Sequence, residues 1–128
     1  MKLLLDTHAL IWFLEDDPRL STVARASVEH VGNERWVSMA SGWEMAIKSR
    51  LGKLRLPLPF VRLFPAEIER LGFSILPIAA RHLHSLETLA LHHRDPFDRL
   101  LVAQALVDGL TVVGDDPAFD AYGVTRLW

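Results

Sequence analysis

The sequence predicts an α/β fold, a three-layer α/β/α sandwich around a central, mainly parallel sheet. Short apolar runs of strand length alternate along the chain with longer helical patterns, which is the order expected of βα repeats. Runs such as Leu3-Leu4-Leu5 are continuously apolar, as expected for strands covered by helices on both faces. Acidic residues also recur where apolar runs stop, which places polar groups at one edge of such a sheet.

The strands are predicted near residues 2–5, 35–39, 73–77, 110–113 and 124–127. The helices are predicted at 8–15, 21–31, 42–51, 79–90 and 96–108, with shorter helical pieces at 60–71 and 117–122. Gly52, Gly109 and Gly123 each follow a helical pattern, where a left-handed residue ends a helix well. Pro96 and Pro117 each follow an aspartate, the order of an N-cap and a first helical residue.

Length and composition indicate a single domain spanning residues 1–128, with 50% hydrophobic residues to fill its core. The absence of cysteine excludes disulfides, thiolate zinc sites and thiol nucleophiles. No apolar run approaches the length of a membrane span, and the N-terminal residues lack the pattern of a signal peptide. We therefore expect a cytoplasmic protein that does not interact with membranes.

The net charge of −2 is unusual for a nucleic-acid-binding protein, but the local distribution of charge is more informative. A stretch of eight residues without an acid contains Lys48, Arg50, Lys53 and Arg55. A second basic stretch, His92-His93-Arg94, immediately precedes Asp95. These residues are interpreted either as solvated helix ends and loops or as contacts to phosphates.

Four acids are the candidate site residues: Asp6, Glu44, Asp98 and Asp116. Asp6, Glu44 and Asp116 follow predicted strands, and Asp98 begins a densely apolar helix. Because parallel strands end at the same edge of a sheet, these carboxylates should lie close together. Clustered carboxylates repel one another unless a hard divalent cation joins them, so the pattern indicates a site for Mg²⁺ or Mn²⁺ and a metal-dependent hydrolase.

Each acid also has a purely structural interpretation. Asp6 and Asp116 can cap helices, and Glu44 can pair with Lys48 four residues later. Glu44 borders an apolar stripe of Trp43, Ile47 and Leu51 and could point either way. Capping alone does not explain why all these acids should converge, so their joint placement favours a metal site.

Asp95 and Asp98 match the Ncap and N3 positions of the helix that begins at Pro96, although Asp is short for the N3 role. The role of Asp95, like that of Asp115, is not decided by the sequence.

Histidines offer a weaker metal site. Neither His82 with His84 nor His92 with His93 has the i, i+4 spacing of a two-histidine zinc site on a helix. His8 and the four tryptophans fit packing roles at least as well as functional ones. The chain has no glycine-rich phosphate loop and no nucleophile-elbow motif.

Several stretches together resemble the PIN-domain ribonucleases, and specifically the VapC-type toxins of bacterial toxin-antitoxin systems. They are Leu3-Leu4-Leu5-Asp6-Thr7-His8-Ala9-Leu10-Ile11-Trp12, Ser41-Gly42-Trp43-Glu44-Met45-Ala46-Ile47-Lys48 with Leu51-Gly52-Lys53-Leu54, His93-Arg94-Asp95-Pro96-Phe97-Asp98-Arg99-Leu100-Leu101-Val102-Ala103-Gln104-Ala105, and Asp116-Pro117-Ala118-Phe119. The combination, in this order and at this chain length, is more specific than any one motif.

The resemblance implies a PIN-like fold, a homodimer, and Mg²⁺- or Mn²⁺-dependent cleavage of RNA by attack of water on a phosphodiester. It places the acidic quartet of the family on Asp6, Glu44, Asp98 and Asp116, and it implies an antitoxin protein as partner. Lys48, Arg50, Arg94 and Arg99 are candidates for contacts to the RNA backbone. Thr7 matches a hydroxyl residue that often follows the first acid, whereas Gly114 stands where relatives often carry Thr or Ser.

Two other functions are considered. A phosphoacceptor receiver domain also has an acidic Mg²⁺ site, but it needs an acceptor Asp after the third strand and a Lys after the fifth. Here the third strand leads into Leu76-Pro77-Ile78, and no lysine occurs beyond Lys53. The other possibility is a non-catalytic α/β binding domain whose acids only cap helices, which an assay for metal-dependent RNA cleavage distinguishes.

Overall fold

The computed structural model describes all residues 1–128 and contains one five-stranded sheet in which every strand pair is parallel. The strand order is β3-β2-β1-β4-β5. The strands are β1 (Lys2–Leu5), β2 (Glu34–Ser38), β3 (Ser74–Leu76), β4 (Thr111–Val113) and β5 (Arg126–Leu127). All five predicted strands are therefore present, and the predicted fold class is confirmed.

Seven helices flank the sheet: α1 (Thr7–Leu14), α2 (Thr22–Glu29), α3 (Met39–Arg50), α4 (Phe60–Arg62), α5 (Ile68–Arg70), α6 (Ala80–Glu87) and α7 (Pro96–Asp108). A π-helical stretch, Leu63–Glu67, joins α4 to α5 and contains a kink at Phe64. A 3₁₀ helix, Pro117–Tyr122, follows β4. Asp95 and Asp116 cap α7 and the 3₁₀ helix, and Gly109 and Gly123 end them in the left-handed region, as predicted.

The core lies in two layers, one on each face of the sheet. Successive residues of a strand point to opposite faces, so Leu3 and Leu5 join a cluster with α1 and α2 while Leu4 joins a cluster with α7. Both clusters are built from buried side chains of neighbouring strands and helices. This double coverage explains why the strands read as continuous apolar runs.

The topology creates a switch point between β1 and β4. From β1 the chain moves outward to β2 and β3, then returns through α6 and α7 to β4 on the other side of β1. The backbone N–H of Asp6 donates to the carbonyl of Val113 at 3.0 Å, which ties the end of β1 to the end of β4. In open α/β sheets, ligands bind outside the carboxyl ends of the strands at such a point.

The region around α3 differs from the prediction. The helix begins at Met39 rather than at residue 42, because the Ser38 hydroxyl accepts a hydrogen bond from the Ala40 N–H and caps it. The expected apolar stripe of Trp43, Ile47 and Leu51 lies on the exposed face of the helix. No helix of the chain has the length and apolar character needed to span a membrane.

Candidate active site

The structure brings three of the predicted acids together at the switch point and places the fourth beside them. The charges of Asp98 and Glu44 raise the pKa of Asp6, and the charge of Glu44 raises the pKa of Asp98. Asp116 adjoins Asp98, to which it contributes a further unfavourable charge interaction. Asp6 and Asp116 follow β1 and β4, Glu44 lies in the second turn of α3, and Asp98 lies in the first turn of α7.

Asp6 serves as a helix cap and presents a free oxygen to the site at the same time. Its Oδ1 accepts the N–H of Ala9 at 2.8 Å and so caps α1. Its Oδ2 lies against Gly114, where a Cβ would approach it to 2.5 Å. Burial, together with the charges of Asp98, Asp115 and Glu44, raises the pKa of Asp6 to about 8 although the Ala9 hydrogen bond opposes the change. The capping and metal-binding interpretations of Asp6 are therefore compatible, since each uses a different oxygen.

Glu44 points into the protein and is only 3% exposed. Its Oε1 accepts the Thr7 hydroxyl and its Oε2 accepts the Lys48 ammonium, both at 2.5 Å. The Thr7 and Ser41 hydroxyls are 3.0 Å apart, and because the Thr7 proton goes to Glu44, Ser41 is the donor of that pair. Glu44 lies in the second turn of α3, on the buried face of the helix.

Asp95 and Asp98, adjacent in the same helix start, have different roles. Asp95 Oδ1 accepts the N–H groups of Phe97 and Asp98, at 2.8 and 3.4 Å, and so caps α7. Asp98 does not reach back to the Asp95 N–H, which instead donates to His93 Nδ1. The capping-box role for Asp98 is thus wrong. Burial, with the charges of Asp95 and Glu44, raises the pKa of Asp98 to about 7.

Asp116 is the most exposed member of the group. Its Oδ1 accepts the N–H of Ala118 at 2.9 Å and caps the 3₁₀ helix, and its Oδ2 accepts a hydrogen bond from His93 Nε2 at 2.9 Å. These hydrogen bonds, that of Ala118 first, lower the pKa of Asp116. Asp115 is exposed and acts on the site through its charge, which raises the pKa of Asp6.

Of the histidines considered as metal ligands in pairs, only His93 lies at the site. His92 packs on Tyr122, with ring centroids 5.0 Å apart. His82 is fully buried, accepts the Ala79 N–H at 3.0 Å and contacts Asp108 at 2.9 Å, which joins α6 to α7. Neither predicted pair acts as a pair. His93 could have been singled out by its position two residues before the capping Asp95, since such a residue lies beside the helix start.

The basic candidates separate into three groups. Lys48 lies within the site, with its Nζ 3.6 Å from Asp95 Oδ2 as well as on Glu44. Arg50 and Arg94 are exposed. Arg99, in contrast, donates from its NH2 group to the Leu89 carbonyl at 2.9 Å, and its Nε is buried, so it serves to hold the preceding loop.

The donor set suits a hard divalent cation. All four side chains offer carboxylate oxygens, and ligand atoms of Asp98, Asp116 and His93 all lie within 4.8 Å of one another. The raised pKa values of Asp6 and Asp98 mean that their ionised forms are disfavoured until a cation offsets the charge. No carboxylate follows β3, where Pro77 comes next, so the site lacks the acceptor of a receiver domain.

Comparison with known proteins agrees with this architecture. A family model of the PIN domain matches residues 3–124. The ribonuclease VapC16 of Mycobacterium tuberculosis is 42% identical over 72 residues, which are 53% of this chain and 50% of that protein. The match therefore spans only half the length of this curated relative.

Solved structures extend the likeness in fold to nearly the whole chain. VapBC-1 from nontypeable Haemophilus influenzae superposes with a TM-score of 0.71 and 15% identity, covering 99% of this chain and 97% of that one. VapBC2 from Rickettsia felis, solved bound to a DNA fragment from their promoter, gives a TM-score of 0.72 and 13% identity, covering 99% and 98%. FitAcB from Neisseria gonorrhoeae gives a TM-score of 0.66 at 21% identity, covering 98% of this chain and 96% of that one. Because the family model spans almost the whole chain and the fold agrees, this protein belongs to the PIN domain family.

Proposed function

We propose that the protein is a metal-dependent endoribonuclease that hydrolyses RNA phosphodiester bonds and acts as the toxin of a toxin-antitoxin pair. The observation that carries the proposal is the convergence of Asp6, Glu44 and Asp98, with Asp116 beside them, at the switch point of a PIN domain. A relative that shares half its length with the chain is named a ribonuclease, and one structure of the same fold is described as a toxin-antitoxin complex from Klebsiella pneumoniae.

Mg²⁺ or Mn²⁺ would be held by Asp6, Glu44, Asp98 and Asp116, and when bound it supplies a polarised phosphate and an activated water. The protein's own groups prepare this site. The Ala9 N–H fixes one oxygen of Asp6 and so directs the other inward. Thr7 and Lys48 fix both oxygens of Glu44, and its deep burial excludes bulk water from that side of the site. The sequence and the donor set are compatible with one ion or two.

RNA would contact the cations around the acidic site. Lys48 already lies between Glu44 and Asp95, where its ammonium can also meet a phosphate. Arg50, Lys53, Arg55 and Arg94 are exposed and can follow the RNA backbone. Lys53 and Arg55 also line a groove of about 270 Å³ with His8 and Trp12 of α1, the helix that Asp6 caps. The proposed substrate, cellular RNA, places this action in the cytoplasm.

A cognate antitoxin is the proposed protein partner. The acidic site would attract an arginine or lysine of an antitoxin, which would compete with metal and RNA for the same carboxylates. Expression of the chain alone should arrest growth, and co-expression of the antitoxin should relieve the arrest. A folded, metal-binding chain that is harmless when expressed alone would contradict the toxin role but not the nuclease activity.

A homodimer is the proposed assembly, and the exposed face of α3 is the proposed contact. Met39, Trp43, Ile47 and Leu51 are all exposed and recur every four residues, which makes one apolar stripe. Light scattering after gel filtration should give the mass of a dimer, and Leu51→Glu should shift it toward the monomer. A monomeric parent protein would contradict this assembly.

The nuclease activity is tested with purified protein and a labelled RNA that carries several sequence contexts. Cleavage should require Mg²⁺ or Mn²⁺, stop on chelation, and be lost in Asp6→Asn while RNA binding in Ca²⁺ is kept. Asp16→Asn is a matched control, because its side chain is 89% exposed and lies beyond the far end of α1. Full cleavage by Asp6→Asn would refute the mechanism, and no cleavage by the parent would favour a non-catalytic binding domain.

A further inference from the structure

His93 contacts two of the candidate metal ligands and is itself held on its other side. Its Nε2 is 2.9 Å from Asp116 Oδ2 and 3.2 Å from Asp98 Oδ2. Its Nδ1 accepts the backbone N–H of Asp95 at 3.0 Å. The ring therefore lies between the fourth acid and the start of α7, a position that suits either a metal ligand or a residue that holds the acids in place.

The hydrogen bonds decide between these two roles. A backbone N–H can only donate, so the Asp95 N–H requires a lone pair on His93 Nδ1. The proton of the neutral ring is then on Nε2, where it meets the acceptor oxygen of Asp116. A lone pair on Nε2 would instead face two carboxylate oxygens with no proton between them. A nitrogen that carries a proton has no lone pair for a metal ion.

We propose that His93 is a positioning residue, which donates its Nε2–H to Asp116 and keeps Asp116 and Asp98 together for the divalent cation, and that it is not itself a ligand. The inference rests on the proposed metal-dependent function of the same site. Asp116 needs such support because its side chain is 40% exposed, and without His93 only the hydrogen bond from the Ala118 N–H to Oδ1 holds it. Each carboxylate oxygen has more than one lone pair, so Asp116 can accept these hydrogen bonds and still bind metal.

Tyr122 provides a second attachment for the same loop. Its hydroxyl accepts the backbone N–H groups of His92 and His93, at 3.0 and 2.8 Å. Tyr122 ends the 3₁₀ helix that Asp116 begins, so this short helix is joined to the His93 loop at both ends. Removing the Tyr122 hydroxyl should therefore loosen His93 without changing any carboxylate.

The first test measures the tautomer in metal-free protein. Two-bond ¹H–¹⁵N NMR spectra of the imidazole should show His93 protonated at Nε2 and unprotonated at Nδ1. A ring protonated at Nδ1 alone would overturn the proposal, because the Asp95 hydrogen bond could not then exist.

The second test measures Mn²⁺ binding by electron paramagnetic resonance, which counts free Mn²⁺. We expect His93→Ala to weaken Mn²⁺ binding about 10- to 100-fold, the size typical of residues that orient metal ligands. His93→Gln keeps a side-chain N–H donor and should recover part of the loss, and Tyr122→Phe should give a smaller loss in the same direction. Circular dichroism of each variant checks that it remains folded. If His93→Ala does not fold, Tyr122→Phe and His93→Gln carry the same comparison.

The spin-echo spectrum of bound Mn²⁺ then separates the two roles directly. The parent should show no ¹⁴N coupling of the strength given by a directly bound imidazole, and such a coupling would make His93 a ligand and overturn the proposal. Unchanged Mn²⁺ affinity in His93→Ala would overturn it while leaving the proposed function intact. A parent protein that binds no Mn²⁺ at all would overturn both.

Discussion

Replacing Asp6 with asparagine should stabilise the protein when no metal is present, even though it removes a proposed metal ligand. Asparagine can keep the hydrogen bond to the Ala9 N–H, since it caps helices as well as aspartate does. It removes the negative charge that burial and the neighbouring acids disfavour. At neutral pH and above, the folded metal-free parent must either keep a proton on Asp6 or carry this unfavourable charge, and the variant does neither.

The magnitude follows from the pKa of Asp6, which is about 8 in the folded protein against 3.8 as its ordinary value. Below pH 3.8 the carboxyl is protonated in both the folded and the unfolded state, so it has no effect on the pH dependence of stability there. As the pH rises toward 8, the unfolded state loses its proton first and the folded state loses stability, by roughly 6 kcal/mol at most. Asp6 and Asp98 interact, so their individual effects on stability do not add. We therefore expect a smaller gain in the free energy of unfolding for Asp6→Asn, about 1–3 kcal/mol at pH 8.

The assay is thermal unfolding of parent and variant in chelator, from pH 5 to pH 8.5. The melting temperature of Asp6→Asn should exceed that of the parent by about 4–10 °C at pH 8, and the difference should shrink toward pH 5. Mn²⁺ should raise the melting temperature of the parent more than that of the variant. Asp16→Asn, an exposed control for the same chemical change, should show no such difference. A variant that is less stable than the metal-free parent at pH 8 would refute the reasoning, because charged Asp6 would then be acting mainly as a helix cap.

Three further outcomes are expected. Gly114→Ala places a Cβ 2.5 Å from Asp6 Oδ2, so it should displace that oxygen while the fold persists. Mn²⁺ affinity should fall and RNA cleavage should fall by about 100-fold, whereas unchanged affinity would show that Asp6 adapts freely. Lys48→Met leaves the buried Glu44 without its cation and should cost about 1–3 kcal/mol in metal-free denaturant unfolding, whereas the exposed Lys53→Met should cost almost nothing. Arg94→Ala should weaken RNA binding in Ca²⁺ and reduce the salt dependence of that binding. Arg99→Ala should lower stability and leave RNA affinity unchanged, because Arg99 donates to the Leu89 carbonyl; the opposite pattern would reverse these assignments.

Local signals in the sequence were sufficient to predict the order of the strands and helices. The periods of apolar residues, the Asp-Pro starts at Asp95 and Asp116, and the glycines at 109 and 123 all act within a few residues, so they could be interpreted without the fold. The start of α3 was missed because the capping role of Ser38 competes with its place in a strand. Its hydroxyl also contacts Gln104 of α7, a distant residue, and that contact depends on the packing of the two helices.

Contacts between distant residues also explain the other corrections. Arg99 was a candidate for contact with the RNA backbone, but its partner is the Leu89 carbonyl in the preceding loop. His93 was considered as half of a zinc pair or as part of a basic stretch, whereas its partners are Asp98 and Asp116. The exposure of Trp43 and the burial of its neighbour Glu44 likewise depend on how α3 lies against α1 and α7. Sequence spacing gives the faces of a helix but does not say which face is covered.

The sequence by itself determined the parallel α/β architecture and the placement of acids at strand and helix ends, because hydrophobic period and capping chemistry are local properties. Only the tertiary structure decided which oxygens are free, which acids have a raised pKa and which histidine joins them. Asp6 meets Gly114 because β1 and β4 are neighbours, and its pKa rises because burial and the charges of Asp98 and Glu44 act together. These are properties of groups brought together by packing, since the energy of a charge depends on the burial and the nearby charges that the fold gives it.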